Sequence, residues 1–263
     1  MRSLLAAILL SLIPMSAGAQ GLRATYEVLA LGSTVLELEA RFHLTGEAYR
    51  VETALRTRGL AALVATGEQV TRSRGAFAGG AVEPADFVSE GVWRGRMRRI
   101  ALDWQGSEPR VLELTPSEAG ERDPVPEALR RGTVDLLSLV AGVARQMGQE
   151  GRCDIAAPVF DGRRRSDFAA RSEGREVIRP WRGAWHGEAL RCGFEGRLVA
   201  GFRRDQPRAE AAEPTRGTAW IAAPYVGAPA IPVRVDIPTR WFGTATAVLL
   251  RAEPLERRAE LGR

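Results

Sequence analysis

Apolar and polar residues alternate through the first part of the chain, and this period of two limits the possible folds more than any other feature. Successive side chains of a strand point to opposite faces of a sheet, so strict alternation predicts a strand with one buried face. Residues 36–44 (LELEARFHL) follow this pattern. It recurs in residues 26–30, before a turn at Gly32 and Ser33, and in residues 49–55. We therefore predict an antiparallel meander in the N-terminal third of the chain.

A longer period marks the middle of the chain. There, apolar residues recur at the i, i+3, i+4 and i+7 spacing of an amphipathic helix. These residues are Leu136, Leu139, Val140, Val143 and Met147. Thr133 is the expected N-cap of this helix, and Asp135 favours its first turn electrostatically. An antiparallel sheet with one apolar face needs a covering layer, and this helix is the predicted cover.

The second half of the chain again predicts strands. They are expected at residues 219–222, 233–237 and 244–250, with loops at residues 117–126 and 203–216. Asp161 and Gly162 lie between Val159-Phe160 and a strand from Arg163, and they suit the central positions of a type I′ turn. The predicted fold is mainly β, a curved antiparallel sheet or open half-barrel with one central amphipathic helix. The interior of such a fold either holds a hydrophobic ligand or is filled by side chains.

The N-terminus has the pattern of a cleavable secretory signal peptide. Arg2 precedes an apolar run over residues 4–13, and Pro14 precedes the small residues of positions 17–19. The run is far shorter than the roughly 20 residues that a membrane-spanning helix needs. We predict cleavage after Ala19 and export to the periplasm. Residues 20–263 are then expected to form a single β-rich domain without a transmembrane anchor.

The chain contains two cysteines, Cys153 and Cys192. An even pair in an exported chain is typical of a disulfide, because oxidising compartments form and keep such bonds. A metal site would need further ligands, and the two histidines, His43 and His186, lie in unrelated contexts without ligand-like spacing. We therefore predict a structural disulfide and no metal or cofactor, with a reactive thiol pair as the alternative.

Five spaced segments together resemble a family of uncharacterised bacterial periplasmic proteins, domain of unknown function 3108. They are residues 132–138 (GTVDLLS), Cys153, residues 159–164 (VFDGRR), residues 187–192 (GEALRC) and residues 231–235 (IPVRV). The specificity comes from the spaced combination of the turn of Phe160, Asp161, Gly162 and Arg163 with the two cysteines, since no single segment is specific by itself. The resemblance implies an envelope location and a β-rich fold, with no established activity. The architecture is more distantly similar to the half-barrels of periplasmic lipoprotein carriers, which enclose an apolar cavity under a helical lid.

Catalytic motifs are missing from the sequence. It contains no Gly-x-Ser-x-Gly elbow, phosphate-binding glycine loop or His-Glu-x-x-His helix, and no catalytic residue is predicted. Arginine remains as a candidate binding group, because its guanidinium fork suits carboxylates and phosphates. Possible contacts to an anion or a partner are Arg94, Arg96, Arg98, Arg164 and Arg165. The alternative for these arginines is a solvated strand face.

Three classes of function follow from these observations. The first is a non-enzymatic periplasmic envelope protein that binds a hydrophobic or lipid-like ligand, or a partner protein. The second is a structural or scaffolding factor with a filled interior, and the third is an enzyme of unknown class. The net charge of +5 is modest and does not favour nucleic acid as a partner, whereas association with a membrane surface stays open.

Overall fold

The computed structural model describes residues 21–59, 61–64, 66–117, 120–239 and 243–255. The predicted signal peptide and its cleavage site after Ala19 lie outside the described residues. The strands are β1 (Gly21–Ala30), β2 (Ser33–Leu44), β3 (Ala48–Thr57), β4 (Gly67–Ala78), β5 (Ala81–Trp93), β6 (Arg96–Gln105), β7 (Glu108–Thr115), β8 (Ile155–Phe160), β9 (Arg165–Ile178), β10 (Gly187–Ala200), β11 (Thr215–Ala222), β12 (Ile231–Thr239) and β13 (Gly243–Leu255). The helices are α1 (Ala61–Val64), α2 (Leu136–Glu150) and α3 (Arg208–Ala211), and a 3-10 turn covers Glu127–Leu129.

All of these strands belong to one 13-stranded sheet with the order β7-β6-β5-β4-β3-β2-β1-β13-β12-β11-β10-β9-β8. From β1 in the middle of the sheet, the chain winds outward to β7 at one edge and crosses with α2 to β8 at the other edge. It then winds back until β13 pairs with β1. Every pair of neighbouring strands is antiparallel. The prediction of a curved antiparallel sheet that does not close into a barrel is confirmed.

The predicted N-terminal meander is present and extends as far as β7. Tyr26 lies opposite Leu38, and Phe42 lies opposite Val51, so the apolar positions of three strands share one face. Tyr26, Phe42 and Val51 are buried in one core cluster with Leu249 of β13. Alternation thus identified the buried face correctly, because each apolar residue that faces inward removes hydrocarbon from water.

The central helix is confirmed, but two of its predicted details are wrong. Its N-cap is Asp135 and not Thr133, whose hydroxyl donates to the carbonyl oxygen of Arg130 at 2.6 Å. Leu136 does not belong to the buried face, since 54% of its surface is exposed. The buried positions are mostly small residues: Ser138, Leu139, Ala141, Gly142 and Ala144.

Small residues on this face let the helix backbone approach the sheet closely. A Cβ atom at position 142 would lie only 2.7 Å from Cγ2 of Val82 in β5, so a larger residue would push the helix outward. Helix α2 packs against β3, β4, β5 and β8. The helix therefore packs against both halves of the sheet, β3 to β5 on one side and the edge strand β8 on the other.

The predicted strands of the C-terminal part are confirmed and are longer than expected, as β11, β12 and β13. The loop predicted at residues 203–216 contains the short helix α3, and its last two residues already belong to β11. A loop does follow β7, in agreement with the prediction for residues 117–126, of which residues 118 and 119 are not described.

A short segment before α2 bridges the two edges of the sheet. Val134 donates its N–H to the carbonyl of Pro158 and accepts from the N–H of Phe160, each at 2.9 Å, so it forms a parallel bridge beside β8. On the other side, the indole N–H of Trp104 in β6 donates to the carbonyl of Thr133 at 2.9 Å. The half-barrel is thus held together at this gap by loop backbone and not by a continuous strand ladder.

Candidate functional site

Cys153 and Cys192 form a disulfide with a Cα–Cα distance of 6.4 Å. Cys153 follows α2, and Cys192 lies in β10, so the bond connects the C-terminal end of α2 to the half of the sheet formed by β8 to β13. Both cysteines are buried, with Leu190 and Ile221 in the same cluster and Met147 of α2 packed against it. This buried and mostly apolar environment fits a structural cross-link.

The turn that carries the family resemblance lies between β8 and β9, but its predicted type is wrong. Phe160 pairs with Arg165, which leaves a four-residue loop in place of a two-residue type I′ turn. Oδ1 of Asp161 accepts from the backbone N–H groups of Arg163 at 2.9 Å and Arg164 at 2.7 Å. Gly162 supplies the positive φ of 88° that the loop needs. Asp161 is therefore bound within its own loop, as expected for a turn residue.

This loop also reaches across the gap between the two edges. The Arg163 guanidinium donates to the carbonyl of Thr115, the last residue of β7, at 3.1 Å. The ring of Phe160 is buried and packs in one cluster with Phe87 and Leu102 of the opposite side. The motif thus contributes to the join between β7 and β8, beside a cleft of about 490 Å³ that Phe160, Gly162 and Arg163 help to line.

The five arginines predicted as anion or partner contacts fall into two groups. Arg164 is paired with Asp161 at 2.8 Å, and Arg165, only 15% exposed, is paired with Asp167 at 2.7 Å. Their charges are therefore compensated within the chain. Arg94, Arg96 and Arg98 are exposed at the end of the β5–β6 hairpin. No hydrogen bond or ion pair joins the two groups in the described part of the chain, although the β8–β9 loop lies beside β6, where a Cβ atom at position 162 would be 2.6 Å from Cγ2 of Ile100.

A buried polar cluster lies where α2 begins. Asp135 accepts from the backbone N–H groups of Leu137 and Ser138 through Oδ1, and from the hydroxyl of Ser73 through Oδ2. The hydroxyl of Ser138 donates to Oδ2 as well. Burial raises the pKa of the Asp135 carboxyl above its usual range, although these hydrogen bonds favour the ionised form.

Near the other end of α2 lies a cavity of about 530 Å³. Its wall includes apolar side chains of β2, β4, α2 and β11, namely Leu44, Phe77, Met147 and Ile221. Three charged residues, Arg145, Arg175 and Glu188, also line it. Arg175 and Glu188 pair with each other at 3.1 Å. The remaining charge on the wall is the guanidinium of Arg145.

Arg145 has an unusual environment for an arginine. Its guanidinium carbon lies 4.6 Å from the centre of the Phe77 ring, a cation–π contact. Its Nε and Nη1 atoms are buried without a hydrogen-bond partner, and no ion pair of Arg145 occurs within the described ranges. Buried charged groups normally pair, because burial removes their hydration. In the sequence, the only signal for this residue is the i, i+4, i+7 spacing that places Ala141, Arg145 and Gly148 on one helical face, and it does not indicate a binding role.

The remaining sequence candidates do not form a chemical site. His43 and His186 are both exposed, His43 on the polar face of β2 and His186 in the loop before β10. Within the described ranges, no group of three or more His, Cys, Asp or Glu side chains could hold a metal ion. The helices of the described part of the chain are all too short or too polar to cross a membrane.

Comparison with known proteins agrees with this architecture. The fold is similar to a crystal structure of a β-barrel-like protein of domain of unknown function DUF1849 from Brucella abortus, with a TM-score of 0.53. The two share 10% sequence identity, and the similarity covers 90% of this chain and 99% of the other, so it shows the fold alone. No curated protein matches the chain. The model of one family, by contrast, matches residues 22–250, nearly the whole described chain, and the protein therefore belongs to the family described as Protein of unknown function (DUF3108).

Proposed function

We propose that this protein is a non-enzymatic component of the periplasm that binds an anionic, lipid-like ligand in the cavity beside the second half of α2. The observation that carries the proposal is the Arg145 guanidinium, which lies on a largely apolar wall with two buried nitrogens that lack partners. An anionic headgroup would offset the cost of burying this charge.

The shape and chemistry of the cavity narrow the class of ligand. A volume of about 530 Å³ is within the range of small-molecule sites. Leu44, Phe77 and Ile221 offer hydrocarbon contacts to an acyl chain, whereas the arginine fork suits a carboxylate or a phosphate. Together they favour a molecule with a hydrocarbon tail and one acidic group. The predicted signal peptide supports a periplasmic location for the proposed activity, in a compartment through which lipids pass between membranes.

Native mass spectrometry of the protein purified from its own periplasm tests the proposal first. We expect a retained molecule of lipid-like mass that denaturation releases. A displacement assay with a fluorescent fatty acid then measures affinity for wild type, Arg145→Met and Arg197→Met. Arg197 is an exposed arginine on β10 outside the cavity and serves as the matched control.

Arg145→Met should weaken binding of the fatty acid by about 10- to 100-fold, the usual range for a charge-assisted contact. Arg197→Met should bind as wild type does. Equal affinity in all three proteins would contradict the proposal. A protein recovered without any amphiphile, and whose melting temperature fatty acids leave unchanged, would favour the structural or scaffolding alternative.

A further inference from the structure

The end of the β5–β6 hairpin combines exposed cations with exposed apolar side chains. Strand β5 ends at Trp93 and β6 begins at Arg96, and the tight turn between them places Arg94 and Gly95 at positive φ. Arg94, Arg96 and Arg98 are all exposed. Met97 is 60% exposed and Val92 is 37% exposed. The hairpin tip, residues 92–98, therefore projects both kinds of side chain into solvent.

The arginines of the hairpin tip differ from their neighbours in having no counter-charge. No ion pair of Arg94, Arg96 or Arg98 occurs within the described part of the chain. Arg99, the next residue, shows the contrast, since it is paired with both Glu90 and Glu113. Three positive charges thus stand together at one end of a hairpin, and an anionic surface could neutralise them together.

The apolar residues of the tip also act as a pair. Val92 and Met97 lie directly opposite each other in the β5–β6 ladder, so their side chains project from one face, whereas Arg96 and Arg98 occupy alternate positions and project from the other. The two kinds of side chain come together at the turn, so the tip presents both to a surface that it meets end-on. Hydrocarbon side chains flanked by arginines are typical of segments that lie in the interface of a membrane, where the cations meet lipid phosphates and the apolar groups reach the acyl boundary. We propose that the hairpin tip docks the protein on an anionic lipid surface.

This docking surface is separate from the cavity beside α2. Consecutive turns of an antiparallel meander alternate between the two ends of the strands. The cavity wall includes Thr45 and Gly46 of the β2–β3 turn, which lies at the end opposite the β5–β6 turn. A protein docked through its hairpin tip would therefore keep the cavity mouth away from that membrane surface. The inference does not depend on the proposed ligand.

Co-sedimentation with lipid vesicles tests the docking surface. Wild type, the triple variant Arg94→Gln/Arg96→Gln/Arg98→Gln and the control Arg171→Gln/Arg179→Gln/Arg197→Gln are compared. The control loses the same charge from exposed arginines on and after β9 and on β10. Vesicles contain either phosphatidylglycerol with phosphatidylcholine or phosphatidylcholine alone, and thermal melts establish that each variant is folded.

Wild type should bind the anionic vesicles and not the neutral ones, and added salt should weaken binding. Each arginine near an anionic surface contributes about fivefold in affinity, so the tip variant should bind anionic vesicles about 100-fold more weakly than wild type. The control variant should bind them far more tightly than the tip variant. Met97→Ser should weaken the binding that persists in high salt. The proposal would be overturned if both triple variants lost binding equally, if wild type bound neutral vesicles as well as anionic ones, or if wild type did not bind vesicles at all. Full competition by inorganic phosphate at matched ionic strength would also overturn it.

The variant Arg145→Met should bind vesicles as wild type does. Failure of the cavity proposal and failure of the docking proposal are therefore distinguishable.

Discussion

The hydroxyl of Tyr49 lies 2.6 Å from Oγ of Ser138, and this contact ties β3 to the first turn of α2. Oγ of Ser138 is also 2.9 Å from Oγ of Ser73 in β4. Both serines contact the Asp135 carboxylate, so four side chains from two strands and one helix form a single buried cluster. Each member would lose its partners if the helix slid along the sheet, and the cluster therefore fixes the position of α2.

The Asp135 carboxylate should make the stability of the protein depend on pH. Burial raises its pKa in the folded state, so the folded protein holds a proton at pH values where the unfolded chain has released it. The stabilisation from this group is therefore largest below about pH 4, near the ordinary pKa of an aspartate side chain. It is lost as the pH rises through the raised pKa of the folded state. Asp135→Asn should flatten this decline, because asparagine does not titrate. Urea unfolding at several pH values from 4 to 8 measures the decline in the free energy of unfolding. The same decline in wild type and Asp135→Asn would refute the assignment of this pH dependence to Asp135.

The disulfide should act as a structural cross-link and not as a reactive pair. Replacing both Cys153 and Cys192 with Ser should lower the free energy of unfolding by about 2 to 5 kcal/mol, the usual range for the loss of a native disulfide. Below its lowered melting temperature the variant should still bind a fluorescent fatty acid, because neither cysteine lines the cavity. A variant that melts like wild type but fails to restore function in cells would instead indicate redox chemistry.

Gly162 should resist substitution for two separable reasons. Its φ of 88° strains any residue with a Cβ atom, and that atom would lie 2.6 Å from Cγ2 of Ile100. Gly174 has a φ of 99° with no neighbour within 4 Å of the equivalent atom, so it isolates the strain. Gly174→Ala should cost about 1 to 3 kcal/mol. Gly162→Ala should cost about 1 to 3 kcal/mol more from overpacking. Thermal melts that rank the two variants equally would show that Ile100 moves aside.

Export predicts a defined mature N-terminus. N-terminal sequencing of the protein from the periplasmic fraction should begin at Gln20, and the unreduced, unfolded protein should have no titratable thiol. Retention of Met1 in that fraction, or two free thiols, would contradict the prediction. A variant with Ala17→Leu and Ala19→Leu should stay uncleaved, because the cleavage site needs small residues at these positions.

Local patterns in the sequence determined much of this fold. Alternation identified the strands and the buried face of the N-terminal meander, because side-chain direction in a strand depends only on the position of each residue along the chain. The helical period located α2 in the same way, and the two cysteines indicated their bond. The F-D-G-R segment was correctly assigned to a turn, although the turn type depends on the pairing of Phe160 with Arg165, which the sequence does not specify.

The tertiary structure alone decided which polar residues meet. Thr133 and Asp135 are both residue types that favour the N-cap position. In the structure Asp135 is the N-cap, and the hydroxyl of Ser73, 62 residues earlier in the chain, completes its hydrogen bonds. In the sequence, Arg145 looks like one more polar residue of an amphipathic helix. In the structure, its guanidinium stacks on the ring of Phe77 in β4. Burial, and with it the cost of an unpaired charge, depends on which segments pack together across the sheet. Such contacts join distant parts of the chain, and no local period in the sequence encodes them.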